Sequence, residues 1–146
     1  MASTQAGQFS VRRVSWDEEQ TALRAIRYQV FVLEQGVPED LEWDGLDPAC
    51  VHVLAAARNG AAIGAARLMP DCRIGRMAVL QAWRRRGVGS ALLQSLVDIA
   101  TARGDRQVVL HAQSYVVPFY AQHGFIAEGE EFIEAGIRHR PMRRVL

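Results

Sequence analysis

Residues 77–93, MAVLQAWRRRGVGSALL, constrain this chain more than any other stretch. An apolar, strand-like run enters Arg84-Arg85-Arg86-Gly87-Val88-Gly89-Ser90, and a helix opens there. Val88, Ala91, Leu92, Ser95, Leu96 and Ile99 fall at i, i+3, i+4, i+7 spacing, and Gly104 ends the pattern. Glycines let a backbone pass close to a ligand. The first N–H groups of a helix lack internal partners and, with the helix dipole, suit a pyrophosphate. Arginines add charge-assisted hydrogen bonds. The competing reading is an ordinary strand–helix turn with solvated arginines. Two commoner phosphate loops are excluded. A P-loop ends in Gly-Lys-Ser/Thr, and all 17 basic residues here are arginine. A dinucleotide fingerprint needs a third glycine where this chain has Leu92.

The rest of the chain predicts the order β-α-β-β-β-α-β-α-β-β, a mixed α/β fold. A short strand lies within residues 9–15. Ser15 then caps a helix whose apolar positions Leu23, Ile26, Val30 and Phe31 run to about Leu33, before Gly36 and Pro38. Residues 36–48 read as an acidic loop. Asn59-Gly60 between two extended runs is a strong hairpin signal and rules out an all-parallel sheet. Strands follow at 73–80 and 107–113. A short helix at 115–124 tolerates Pro118 in its first turn, and two extended runs flank Gly136.

At 146 residues the chain is expected to form one domain, 1–146, with a core that needs no disulfide or metal. A net charge of +1 gives no general attraction to nucleic acid or acidic lipid, and Arg84–Arg86 is only one short basic cluster. No apolar run reaches the roughly 18 residues of a membrane span. MASTQAGQFS lacks the features of a signal peptide, and Cys50 and Cys72 make no disulfide framework; a reduced, cytoplasmic protein is expected. Without lysine, no side-chain amine is available for Schiff-base chemistry.

Arg84-x-x-Gly87-x-Gly89 resembles the Q/R-x-x-G-x-G/A signature of the GCN5-related N-acetyltransferases. HAQSYVVPFYAQHGFIAEGEEF looks like that family's downstream block: a strand, a short helix with Phe-Tyr, then Gly-Phe. The resemblance covers nearly the whole chain. FVLEQGVPEDLEWDGLD (31–47) and the ending EAGIRHRPM resemble the small bacterial ElaA/YjcF-type subgroup. The resemblance implies a mostly antiparallel sheet with a splayed parallel strand pair and flanking helices, with acetyl-CoA as co-substrate in the splay. Met77 and Val79 would bond the pantetheine amides through their backbones, with Ala78 between them. Arg84, Arg85, Arg86, Gly87, Val88, Gly89 and Ser90 would hold the pyrophosphate, and Gln113 would contact CoA. A backbone N–H near Val79 would polarise the thioester carbonyl. Read without the resemblance, Met77 and Val79 are simply core strand.

Tyr120 matches the family's tyrosine acid and is expected to protonate the leaving thiolate; the competing role is a packed tyrosine with a satisfied hydroxyl. Many relatives carry a carboxylate on the strand equivalent to 73–80, where this chain offers Arg73 and Arg76. The base is then sought among Glu34, His52, His111 and a water relay, with Glu34 the first choice. Glu34, Glu39, Asp40, Glu42, Asp44 and Asp47 crowd a stretch without arginine, expected to line the acceptor side and attract a protonated amine. Glu42, Asp44 and His111 are the expected substrate-binding residues. His123 and His139 lack metal-type spacing, so no metal is expected.

These readings converge on an acetyl-CoA-dependent N-acetyltransferase acting by direct attack on a primary amine of a small molecule. The terminal run after Gly136 offers a sheet edge that invites a homodimer. Two competing functions are an acyl-homoserine-lactone synthase, whose early pattern resembles Arg27-x-x-Val30-Phe31 and Glu42-x-Asp44-x-x-Asp47, and a non-catalytic CoA-binding domain.

Overall fold

A computed structural model describes residues 8–146; of the MASTQAGQFS opening, residues 1–7 lie outside the described residues. Strand β1 (Phe9–Val14) leads into helix α1 (Trp16–Arg27), whose first turn carries Asp17, Glu18 and Glu19. Ser15 Oγ accepts the Glu18 N–H at 3.4 Å, so a side-chain cap and acids both complement this N-terminus. The helix continues through a wider π-type turn, Tyr28–Glu34, and the Val37 N–H donates to the Phe31 carbonyl at 2.9 Å as the chain leaves it.

The 36–48 stretch, expected to be a loop, contains a single helical turn, α2 (Glu39–Glu42), and a 3₁₀ turn at Asp47–Ala49. Strands β2 (Val51–Ala57), β3 (Ala62–Leu68) and β4 (Ile74–Val79) then form an antiparallel meander in the order β1-β2-β3-β4. The predicted hairpin turns at Gly60, where φ is +90°.

Both faces of this sheet are covered, which is why β2 and β3 are almost uniformly apolar. On one face, Leu23, Ile26, Val30 and Phe31 meet Leu54, Ala65 and Ala78. On the other lies helix α3 (Val88–Ala102), which buries Val88, Leu92, Leu93, Leu96, Val97 and Ala100. Each of the valines and leucines contributes roughly 1.5–3 kcal/mol by leaving water. Gly64 permits the close approach: a Cβ there would meet Leu92 Cδ1 at 3.0 Å and Val88 Cγ1 at 3.1 Å.

The same core reaches the second sheet through Val108, Leu110, Ala112 and Met142. This sheet contains β5 (Gln107–Gln113), β6 (Ile126–Ala127), β7 (Phe132–Glu134) and β8 (Ile137–Val145). Strand β8 pairs with β5 on one side and with β6 and β7 on the other. Helix α4 (Val117–Gln122) carries Pro118 in its first turn, where the missing N–H costs nothing. Strand β6 is absent from the predicted order because two residues show no alternation.

The sheets meet at one parallel bridge, Arg73 with Val109, where the Val109 N–H donates to the Cys72 carbonyl at 3.1 Å. Beyond it β4 and β5 part. A bulge assists: Arg67 pairs Gly75 and Ala65 pairs Ala78, so β4 carries an extra residue, and Arg76 takes φ +50°.

Candidate active site

The splay opens a cleft of about 1050 Å³ that runs from the 84–90 turn to a far wall of Val37, Leu41, Leu46 and Ile137. Of the residues expected from sequence to bind CoA, all but Arg86 line it, as do Tyr120, Glu42, Asp44 and His111; Glu34, Glu39, Asp40, Asp47 and His52 do not.

At the turn, Gly87 has φ +86° and Arg85 +62°. Helix α3 has no side-chain cap and no acid in its first turn, unlike α1. Its first backbone bond is Ala91 N–H to the Gly87 carbonyl, 3.0 Å, so the preceding N–H groups are left for an anion. The turn therefore suits a pyrophosphate by its backbone alone. The arginines divide their work. Arg85 lines the cleft, whereas Arg86 stacks on Trp83 at 4.9 Å and lies outside the lining. Arg84 Nε donates to the Val79 carbonyl at 3.0 Å, and its Nη2 donates to Glu34 Oε1 at 2.7 Å.

That ion pair alters the reading of Glu34. The Arg84 hydrogen bond holds the Glu34 carboxyl below the usual carboxylate range, so it stays ionised and engaged. This geometry suits a tether between the end of α1 and the turn, rather than a base free to take a proton. The adjacent Gln35 exchanges amide hydrogen bonds with Gln113, the shorter 2.9 Å, so the same corner also reaches β5.

Tyr120 projects from α4 into the cleft, packs on Phe119 and Phe125, and donates to Met77 Sδ at 3.8 Å. Desolvation pushes its phenol up to about 12.

The acidic stretch forms part of the cleft wall, but it is not a free negative surface. Arg27 Nε donates to Glu42 Oε2 at 2.8 Å and Arg27 Nη1 to Asp47 Oδ1 at 2.7 Å. Arg67 Nη1 donates to Asp47 Oδ1 at 2.9 Å and to Asp44 Oδ1 at 3.1 Å. Arg76 Nη2 donates to Asp44 Oδ2 at 3.2 Å, and its Nε lies 3.1 Å from Glu42 Oε2 without hydrogen-bond alignment. Three guanidiniums thus neutralise Glu42, Asp44 and Asp47. The expectation that Glu42 and Asp44 attract a cation fails here, because the compensating arginines come from α1, β3 and β4 rather than from the stretch itself. Burial pushes the Glu42 carboxyl up. Desolvation opposes ionisation of Asp44 too, but hydrogen bonds from Arg67 and the Leu46 N–H bring it down to about 2.

Two histidines considered as bases are also engaged. His52 lies outside the cleft lining, buried, with Nε2 2.9 Å from the Asp47 carbonyl and its ring 5.1 Å from Trp16. His111 lines the cleft, but Nδ1 is 3.3 Å from Glu134 Oε1 and Nε2 is 3.4 Å from Arg73 Nη1. Gln35, Glu134 and His139 also line the cleft and were missed as site residues. In the sequence His139 stands out only for lacking metal-type spacing. Among the described residues, no group of three His, Cys, Asp or Glu gathers as a metal site.

The family model for the acetyltransferase (GNAT) domain matches residues 16–146. The chain belongs to the GNAT acetyltransferase family. This acetyltransferase is 35% identical over 123 residues to the uncharacterized N-acetyltransferase YjcF of Bacillus subtilis, covering 82% of this chain and 87% of the relative. An acyl-CoA N-acyltransferase from Pseudomonas aeruginosa superposes with a TM-score of 0.83 at 30% identity, covering 94% of this chain and 99% of that one. Escherichia coli ElaA gives 0.82 at 28% identity, covering 93% and 99%. At the level of the family, the acetyltransferase is an acetyl-CoA-dependent N-acetyltransferase. The residues that resembled a lactone synthase, Arg27, Glu42, Asp44 and Asp47, are members of the buried ion network.

Proposed function

We propose that this enzyme acetylates a primary amine of a small molecule by direct attack on the acetyl-CoA thioester, in the cytoplasm. The observation that carries the reading is the two-ended cleft. One end has an uncapped helix N-terminus with a left-handed glycine; the other has a charge-compensated, largely apolar wall. The pyrophosphate meets the N–H groups that begin α3, with Arg85 beside them. The pantetheine lies along the one-sided edge of β4 at Met77, Ala78 and Val79, and Gln113 faces it from β5. The amine enters from the Leu41 and Ile137 side, and the thioester comes near Tyr120. A tetrahedral intermediate is stabilised by a backbone N–H near Val79, and the departing thiolate receives a hydrogen bond from Tyr120. The compensated wall selects its amine by shape and apolar contact more than by charge. No helix among the described residues is long and apolar enough to cross a membrane.

The test is acetyl-CoA turnover, followed by thiol release, over a panel of spermidine, phenethylamine, glucosamine and free amino acids. Turnover of at least one is expected in wild type. Gly87→Glu should abolish CoA binding by calorimetry while the protein stays folded, because the new side chain is strained at positive φ and places an anion in the pyrophosphate path. Unchanged affinity in that variant would refute the assignment of the turn.

A further inference from the structure

Attack requires a neutral amine, yet the side-chain bases anticipated from sequence, Glu34, His52 and His111, are all engaged elsewhere. We propose that His139 takes the proton from the acceptor ammonium, an inference that rests on the amine-acetylation reading above.

His139 is 7% exposed and lies on β8 between two partners, opposite Gln113 of β5 and Phe132 of β7. Its ring stacks on Phe132 at 5.8 Å and 25°. Nδ1 is 2.7 Å from the Ile137 carbonyl. A carbonyl oxygen only accepts, so Nδ1 carries the hydrogen and Nε2 holds the lone pair. Nε2 has no hydrogen-bond partner among the described residues, and it is not among the atoms sealed from solvent. The residue itself lines the cleft. Directly opposed residues on paired strands present side chains to one face about 5 Å apart. His139 therefore stands beside Gln113, at the splay where the thioester arm would pass.

His111 provides the contrast within the same wall. Its Nε2 lies 3.4 Å from Arg73 Nη1 and its Nδ1 lies 3.3 Å from Glu134 Oε1, so both ring nitrogens have side-chain neighbours. The other titratable groups on elements around His139 are Tyr115 after β5 and Glu131 before β7, with Arg138 and Arg140 flanking it on β8. Arg138 lies 4.0 Å from Glu131, and Arg140 Nη1 donates to the Gly129 carbonyl at 3.5 Å.

The protons balance. One passes from the ammonium to Nε2, leaving an imidazolium that keeps its Nδ1–H bond to Ile137. The nitrogen lone pair forms the N–C bond and the C–S bond breaks. The nitrogen loses a second proton and the sulfur gains one, with Tyr120 as donor and relay. The products are amide, thiol and the proton that His139 returns to water.

The experiment compares wild type with His139→Asn, whose amide can still donate to Ile137 but offers nothing at Nε2. The substrate is the panel amine with the greatest wild-type turnover. Expected are a kcat about 10²-fold lower, a CoA affinity within twofold by calorimetry, and a rate that recovers as pH approaches the amine's own pKa. A variant with wild-type kcat and an unchanged acid limb would overturn the proposal and leave the acetylation reading intact. Wild type inactive on every amine would instead sink that reading. A second arm then decides on His139, and it also serves if the variant misfolds: long-range ¹⁵N–¹H correlation of the wild-type imidazoles at pH 8. A bare Nε2 with protonated Nδ1 supports the role; a protonated Nε2 refutes it.

Discussion

Tyr120 keeps its hydroxyl against Met77 Sδ and between two aromatic neighbours, and desolvation pushes the phenol up to about 12. A phenol so weakly acidic remains protonated throughout the working pH range. In the proposed reaction it would assist the thiolate as a hydrogen-bond donor that parts with its proton only as negative charge reaches the sulfur. Tyr120→Phe should lower kcat by about 10²-fold with CoA affinity unchanged and no limb removed from the pH–rate profile. Single-turnover kinetics would check this, and a full-speed Phe variant would make the tyrosine a packing residue. The sequence motif located this side chain but not its environment, since Met77 and Phe125 reach it from separate elements. Glu34 is the opposite case. Its place at the helix end was legible, but Arg84, fifty residues further on, holds its carboxylate. His139 was harder still, because its lone-pair direction is set by a carbonyl two residues back in a strand.

Strand β3 and helix α3 depend on Gly64 for their distance. Gly64→Ala would set a methyl group 3.0 Å from Leu92 Cδ1 and 3.2 Å from the Ala78 carbonyl. Overpacking of this kind costs about 1–3 kcal/mol. The backbone oxygen belongs to β4, so the strain falls on the strand that lines the cleft. Urea unfolding should show a lower midpoint at unchanged m-value, and CoA affinity should fall with it; a variant as stable as wild type would mean that α3 shifts freely. At this scale the sequence was most informative where period and punctuation agree, as in the Asn59-Gly60 hairpin and the α3 heptad spacing. It was least informative in 36–48, where turns of three and four residues are too short to show a period, and in β6 for the same reason.

The ion network ties α1, β3 and β4 to the acidic stretch, and its partners lie 15 to 34 residues apart in sequence. No local pattern could announce it. Asp44 has a folded-state pKa near 2 against an ordinary 3.8. Because that value is depressed, the stability it contributes is present above about pH 4 and is lost as pH falls from 4 towards 2. Asp44 is one-quarter exposed, so the contribution is discounted to about 1–2 kcal/mol. Asp44→Asn should lower Tm at pH 7 by several degrees, with the gap closing by about pH 2. Melts that differ equally at both pH values would show that Asp44 acts by shape alone.

Across the whole molecule, a core shared through α3 joins the two sheets far more than their backbones do, since Arg73–Val109 is the only bridge at the β4–β5 seam among the described residues. The free enzyme is therefore a sheet with missing rungs. Amides facing the seam beyond Ile74 should exchange with deuterium far faster than those of β2 and β3, which are paired on both sides. An extended arm with its own amides, bonded at Met77 and Val79, would supply what the strands lack. CoA would then slow exchange along β4 as well as at the 84–90 turn, and at a hundred times its Kd would add about 2.7 kcal/mol to global stability. On this view the co-substrate completes the protein's hydrogen-bond ladder, and each catalytic cycle opens and closes a seam in the fold.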